Sequence, residues 1–191
     1  MNTTGVLVTG VGGQGSLLAS EITANAAIVC GYKVKTNEIH GMAQRGGSVV
    51  AMVKFGNEVH SPLIDEGEAD VILSMEAIEA LRYRQFLKAD GVAIVSRQRV
   101  IPVTVSSGKA IYPEPEPLLN EAYSNLFYID AIDEASKLGE PRAANVMLVG
   151  LMSTFLTLPD DAWRQAISKC VKPKAVDVNL KAFEFGKSLR G

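Results

Sequence analysis

The apolar run Gly5-Val6-Leu7-Val8-Thr9 feeds straight into Gly10-Val11-Gly12-Gly13-Gln14-Gly15, after which Leu17, Leu18, Ile22, Ala26 and Val29 recur at helical spacing. A short strand that is apolar on successive residues must be covered on both faces, which a parallel sheet flanked by helices provides. The glycines permit a tight reversal, and the backbone N–H groups of such a turn lie at the positive end of the helix. Strand, turn and helix in this order predict an α/β fold, Rossmann-like and three-layered with a largely parallel sheet. Ser16 or a neighbour is expected to cap the helix and Gly31 to end it.

Residues 32–39 and 48–55 read as the next two strands, and Asp70 to Met75 as a buried strand followed by a helix over 76–87. A further strand is expected over 91–95. Val103 to Val105 and Lys109 to Tyr112 flank Ser106-Ser107-Gly108, which predicts a small hairpin excursion, and Pro113, Pro115 and Pro117 alternating with glutamates predict an extended linker. A last strand falls within 125–130. C-terminal helices follow over 131–138, from Pro141 to Leu158, from a cap at Asp160 or Asp161 through Lys169, and from Pro173 to Leu189. No internal repeat breaks the series, and 191 residues suit a single domain over 1–191.

With 19 basic and 21 acidic residues the formal charge is -2, so no general attraction to nucleic acid or to an anionic membrane is expected. The longest apolar stretch, Val146 to Leu158, is interrupted by Gly150, Ser153 and Thr154 and falls short of the roughly 20 residues needed to cross a bilayer. It reads as a buried helix. A strand pattern begins almost at once, without a basic segment and cleavage site, and a cytoplasmic location is expected. Cys30 and Cys170 lack CxxC spacing and read as reduced core thiols, with no ligand set for zinc or an iron-sulfur cluster. HExxH, GxSxG and GxxxxGK[ST] are absent.

The most chemistry-bearing stretch is Glu38-Ile39-His40-Gly41-Met42-Ala43-Gln44-Arg45-Gly46-Gly47-Ser48-Val49-Val50, a loop between two strands. A guanidinium beside two glycines lets a backbone approach a ligand or partner closely while a fork of donors grips carboxylate or phosphate. His40 has no Asp or Ser partner at a recognisable spacing, so it reads as a hydrogen-bonding structural histidine. Gly10 to Gly15 satisfies GxGxxG, and Glu38 stands about twenty residues farther on, where an acid binds ribose in dinucleotide enzymes. The residues alone therefore leave a stand-alone dinucleotide-binding oxidoreductase open, although little chain remains for a substrate domain.

Taken together, GVGGQG at 10–15, EIHGMAQRGGSVV at 38–50 and SPLIDEGEAD at 61–70 resemble the gamma-type subunits of 2-oxoacid:ferredoxin oxidoreductases, and the form of the second motif is most similar to the indolepyruvate branch. The resemblance covers nearly the whole chain, including Arg142-Ala143-Ala144-Asn145. It implies an oxidoreductase complex with ferredoxin as acceptor, in which a large partner subunit holds thiamine diphosphate and iron-sulfur clusters and decarboxylates an arylpyruvate, while coenzyme A accepts the acyl group. This chain would hold no tightly bound cofactor and no catalytic residue. Its implied role is to complete a shared coenzyme A site through Gly12, Gly13, Gln14, Gly15, Ser16, Gln44, Arg45, Gly46, Gly47 and Ser48, with Arg142 and Asn145 joining them. A purely structural assembly subunit is the other alternative. A surface built for a partner stays apolar without it, so the isolated chain is also expected to be able to pair with itself.

Overall fold

The computed structural model describes residues 3–41 and 46–191; Gln44 and Arg45 lie outside the described residues, as does the side chain of His40. β1 (Thr4–Val11) leads into α1 (Ser16–Val29), and β2 (Lys33–His40) and β3 (Ser48–Gly56), the two strands expected on either side of the motif loop, pair antiparallel. β4 (Ala69–Ser74), α2 (Ala77–Arg82) and β5 (Leu87–Ser96) follow. Then come α3 (Val103–Ser106), α4 (Pro115–Ala122), β6 (Leu126–Ile129) and α5 (Ala131–Lys137). α6 (Ala144–Ser153), α7 (Asp160–Cys170) and α8 (Val176–Ser188) complete the described elements.

The six strands form one sheet in the order β2-β3-β1-β4-β5-β6. β1, β4, β5 and β6 run parallel, whereas β3 runs against both β1 and β2. This single reversal decides where the motif loop goes. Ser48 sits opposite Val11, and His40 opposite Val49, so the end of β2 and the start of β3 lie at the glycine-turn end of the sheet, where β1 ends. Ser74, at the end of β4, pairs with Thr9 at the same end of the sheet.

Side chains alternate along β1 as a pleat requires. Val6 and Val8 pack with Ile22, Leu148, Trp163 and Phe183 of α1, α6, α7 and α8, whereas Leu7 packs on the opposite face with Ala80 of α2 and Leu119 of α4. Both faces are covered, which explains the unbroken apolar run. α6 is apolar all round because it is enclosed within this chain, with residues Asn145 to Ser153 all buried. It meets α8 backbone to backbone. A Cβ on Gly150 would overlap the Phe183 carbonyl oxygen, and one on Gly186 the Met147 carbonyl oxygen.

Several expectations are corrected. The helix expected over 76–87 is only α2 plus a short turn over Arg84–Phe86, because the Gln85 carbonyl accepts from Gly67 N–H and Leu87 is drawn into pairing with Ala69. No hairpin forms over 103–112. Pro102 presets the start of the helical turn α3, and the Ser106 and Ser107 hydroxyls donate back to the Val103 and Thr104 carbonyls. The proline-rich linker is instead the helix α4: Pro115 and Pro117 fall in its first turn, where a missing N–H costs nothing. At the start of α1 it is the neighbour of Ser16, Gly15 at φ 86°, that takes the cap position, without a side-chain bond. Pro159 likewise precedes α7, leaving Asp160 and Asp161 within its first turn. The helix expected from Pro141 opens as a short turn over Pro141–Ala143, and α6 ends at Ser153. Gly31 ends α1 as expected, at φ 79°.

Cys30 and Cys170 are free but half-buried rather than core residues. Burial first, then the nearby Glu21 charge, pushes the Cys170 thiol up to about 11. At pH 8 its alkylation in the folded chain is therefore expected to run roughly 10- to 100-fold slower than that of an unperturbed cysteine. Iodoacetamide labelling followed by peptide mass spectrometry reads this, and a rate equal to that of free cysteine contradicts it.

Candidate functional site

The glycine turn is built from the inside. Val11 N–H donates to Gln14 Oε1 at 2.6 Å, and Gln14 Nε2 donates to the Met75 carbonyl at 3.1 Å. Gln14 thus staples the turn to the end of β4, and its amide is occupied within the protein. Gly10 leaves no room for a side chain, since a Cβ there would lie 2.7 Å from Ser16 Oγ and 2.9 Å from Met75 Cβ. Gly13 is different: its φ is 102° and the space a Cβ would fill is open.

The two glycine motifs touch directly. Gly12 N–H donates to the Gly47 carbonyl at 2.9 Å, and Thr9 Oγ1 donates to the Val49 carbonyl at 3.3 Å. From the other side Asn145, 6% exposed, donates through Nδ2 to the Gly15 carbonyl at 3.4 Å, while its Oδ1 accepts from Val146 N–H at 2.8 Å. A Cβ on Gly15 would overlap that amide. Arg142 lies on the preceding turn, where its backbone N–H donates to Glu140 Oε1 at 3.1 Å. Its exposed side chain makes no ion pair with the described residues.

Three clefts that share wall residues ring this end of the sheet. One of about 290 Å³ lies over Gly12, Gly13, Ser16 and Val49, and a second of about 360 Å³ runs between Gly13–Gly15 and Arg142–Asn145, with Gln98 and Ile132 on its far wall. The third, about 300 Å³, lies between Gly46, Ser48 and a buried acidic pair, Glu76 and Glu79. A separate groove of about 310 Å³ between α2 and α4 contains none of the candidate residues.

The first two clefts are rich in donors. Backbone N–H groups of Gly13, Gly15, Ser16 and Leu17 make no hydrogen bond to other described residues. Ser16 Oγ is buried, at 3% residue exposure, and unpartnered. Such an arrangement at the start of a fourteen-residue helix is suited to a phosphate.

The third cleft is rich in acceptors. Ser48 Oγ donates to Glu79 Oε2 at 2.5 Å, Arg82 Nε donates to Glu79 Oε1 at 3.2 Å, and Glu79 N–H donates to Glu76 Oε2 at 2.8 Å. Glu76 Oε1 also accepts from Tyr112 OH at 2.5 Å and Val100 N–H at 3.3 Å. Burial first, then the bond to Glu76, pushes the Tyr112 phenol up.

The structure therefore brings together Gly12, Gly13, Gly15, Ser16, Gly46, Gly47, Ser48, Arg142 and Asn145. Gln14 also lines the second cleft, with its side-chain amide bonded to Val11 and Met75, and Gln44 and Arg45 fall outside the described residues. Glu76, Glu79, Gln98 and Tyr112 are additions. The pair at Glu76 and Glu79, directly after an apolar strand, was their one visible sign: acids at a strand end and three apart share a helix face.

Glu38 is placed unfavourably for binding a dinucleotide ribose. In a dinucleotide-binding sheet the acid-bearing strand adjoins β1, whereas here β3 intervenes and Glu38 pairs with Ala51 on the outermost strand.

Residues 5–189 match the family described as Pyruvate ferredoxin/flavodoxin oxidoreductase. Among curated relatives, "Indolepyruvate oxidoreductase subunit IorB" of Pyrococcus horikoshii is 43% identical over 95% of this chain and 93% of its own length. The gamma subunit of a keto/oxoacid ferredoxin oxidoreductase from Geobacter sulfurreducens superposes with a TM-score of 0.72 at 25% identity, covering 97% of each chain. The same fold, with a TM-score of 0.73 at 19% identity, occurs in 2-oxoglutarate:ferredoxin oxidoreductase of Magnetococcus marinus, a structure holding 2-oxoglutarate, coenzyme A and succinyl-CoA; 99% of this chain covers 31% of that one.

Proposed function

Because the chain belongs to the pyruvate ferredoxin/flavodoxin oxidoreductase family, we propose that it is the non-redox subunit of a 2-oxoacid:ferredoxin oxidoreductase acting on indolepyruvate or a related arylpyruvate, and that it forms the coenzyme A edge of the shared active site. The observation that carries this reading is the contact of the two glycine motifs, Gly12 N–H to the Gly47 carbonyl, under a rim of unoccupied donors at Gly13, Gly15 and Ser16. Arg142 adds a cation to that rim. The acceptor's phosphates suit those donors, and the open space over Gly13 suits close approach.

Thiamine diphosphate and the iron-sulfur clusters belong, in this reading, to the large partner subunit, where they supply the carbanion chemistry and electron transfer to ferredoxin. The two cysteines, just after α1 and at the end of α7, line none of the clefts and do not form a cluster ligand set. This chain's residues bind and orient the acyl acceptor and exclude water. Val103 and Ile111, 81% and 92% exposed beside the third cleft, suit burial against that partner.

The inward use of Gln14 favours a second reading, assembly without contact to coenzyme A. Reconstituting the partner subunit with and without this chain, and following oxoacid-dependent ferredoxin reduction against coenzyme A concentration, separates the two. Coenzyme A dependence is expected only with the chain present. Full coenzyme A-dependent turnover by the partner alone contradicts the proposal.

A further inference from the structure

We infer that the rim of the site is polarised and fixes the direction in which coenzyme A lies across it, with its phosphates at the Gly13–Arg142 end and its amide-bearing pantetheine arm at the Ser48 end, Glu79 being the residue that sets this direction. The inference rests on the coenzyme A reading and adds an orientation to it.

Ser48 has one hydroxyl proton, and at 2.5 Å from Glu79 Oε2 that proton is committed. Its oxygen then meets the cleft only as an acceptor. Glu79 is 6% exposed and Glu76 2%, so two poorly solvated carboxylates stand directly behind it. Their remaining hydrogen bonds come from Arg82, Val100, Tyr112 and the Glu79 backbone N–H, which fix the carboxylates in place.

An anionic oxygen brought to Ser48 Oγ would meet a lone pair backed by two carboxylates against one guanidinium, Arg82, which lines the same cleft and is paired with Glu79 Oε1. An amide N–H meets the acceptor it needs. At the opposite end the polarity reverses, with free backbone N–H groups, the unpartnered Ser16 hydroxyl and the Arg142 guanidinium. A ligand carrying phosphates at one end and amides along the other is thus accepted in one direction. Glu79 acts through Ser48 and is a positioning residue.

The test uses the reconstituted complex and two acyl acceptors, coenzyme A and pantetheine, which has the same arm without the phosphates. Glu79→Ala frees the Ser48 proton and is expected to raise KM about tenfold for both acceptors, with kcat nearly kept. Glu79→Gln, whose carbonyl oxygen still accepts from Ser48, should stay within about threefold of the parent. Arg142→Ala should raise KM about tenfold for coenzyme A and leave that for pantetheine unchanged. A Glu79→Ala effect confined to coenzyme A, or an Arg142→Ala effect shared by pantetheine, overturns the direction while retaining the site. If Glu79→Ala, Ser48→Ala and Arg142→Ala all leave KM for coenzyme A unchanged in intact complexes, the site and the direction fall together.

Discussion

Gly186→Ala is expected to cost about 3 kcal/mol of folding stability, at the upper end of what overpacking one methyl group does. For a chain of 191 residues that corresponds to a fall in Tm of roughly 6–12 °C. The sign runs against helix propensity, since alanine in place of a mid-helix glycine ordinarily stabilises by about 1 kcal/mol. Packing overrides it here because the new Cβ would overlap the Met147 carbonyl oxygen, which the backbone of α6 holds in place. A flexible side chain at that position would turn aside; a helical carbonyl does not. Gly150 faces α8 in the same way, with the Phe183 carbonyl opposite, so Gly150→Ala should act in the same direction. The double variant should lose less than the sum, because parting the helices once relieves both overlaps. Thermal melts of the single and double variants check this, and an unchanged Tm for Gly186→Ala would show that α8 can move off α6 freely.

In the reconstituted complex, Arg45→Ala is expected to lower kcat/KM for coenzyme A by about 10- to 100-fold, the loss of a charge-assisted hydrogen bond of roughly 1.5–3 kcal/mol. The residues that follow it in the chain reach the clefts: Gly46 lines the third, and the Gly47 carbonyl accepts from Gly12 N–H. Arg45→Lys should recover only part of the loss, because an ammonium reproduces the charge but not the planar fork. Melting of the variant should match that of the parent. Unchanged turnover with saturating and limiting coenzyme A would remove Arg45 from the site.

The strand and helix order was legible wherever one period dominated. Val6 to Val8 announced a strand covered on both faces, and Leu17, Ile22 and Ala26 announced α1, because burial in this fold is decided by a local pattern. The stretch from Glu76 to Ala122 was not legible. Helix-forming residues at 84–87 were overruled by pairing of Leu87 with Ala69, a contact far along the chain that no local pattern reports. Pro115 and Pro117 were misread because proline both breaks helices and starts them, and only position distinguishes the two. At the site, glycines and Arg142 could be proposed from motif and resemblance. Glu79 could not, since its importance comes from the single bond to Ser48 across two elements.

The position of β1 at the middle of the sheet has a consequence for synthesis. β1 precedes both of its neighbours, β3 and β4, in the chain, so it leaves the ribosome without either and cannot be enclosed until residue 74 is available. The β2–β3 hairpin pairs locally and is ready earlier. A nascent chain halted before that point presents Gly5 to Val8 as an apolar strand with its β4 edge bare, a substrate for chaperones or for its own kind. The glycine turn at the end of β1 acquires its Met75 partner only once β4 has been made, so the binding surface matures together with the centre of the sheet.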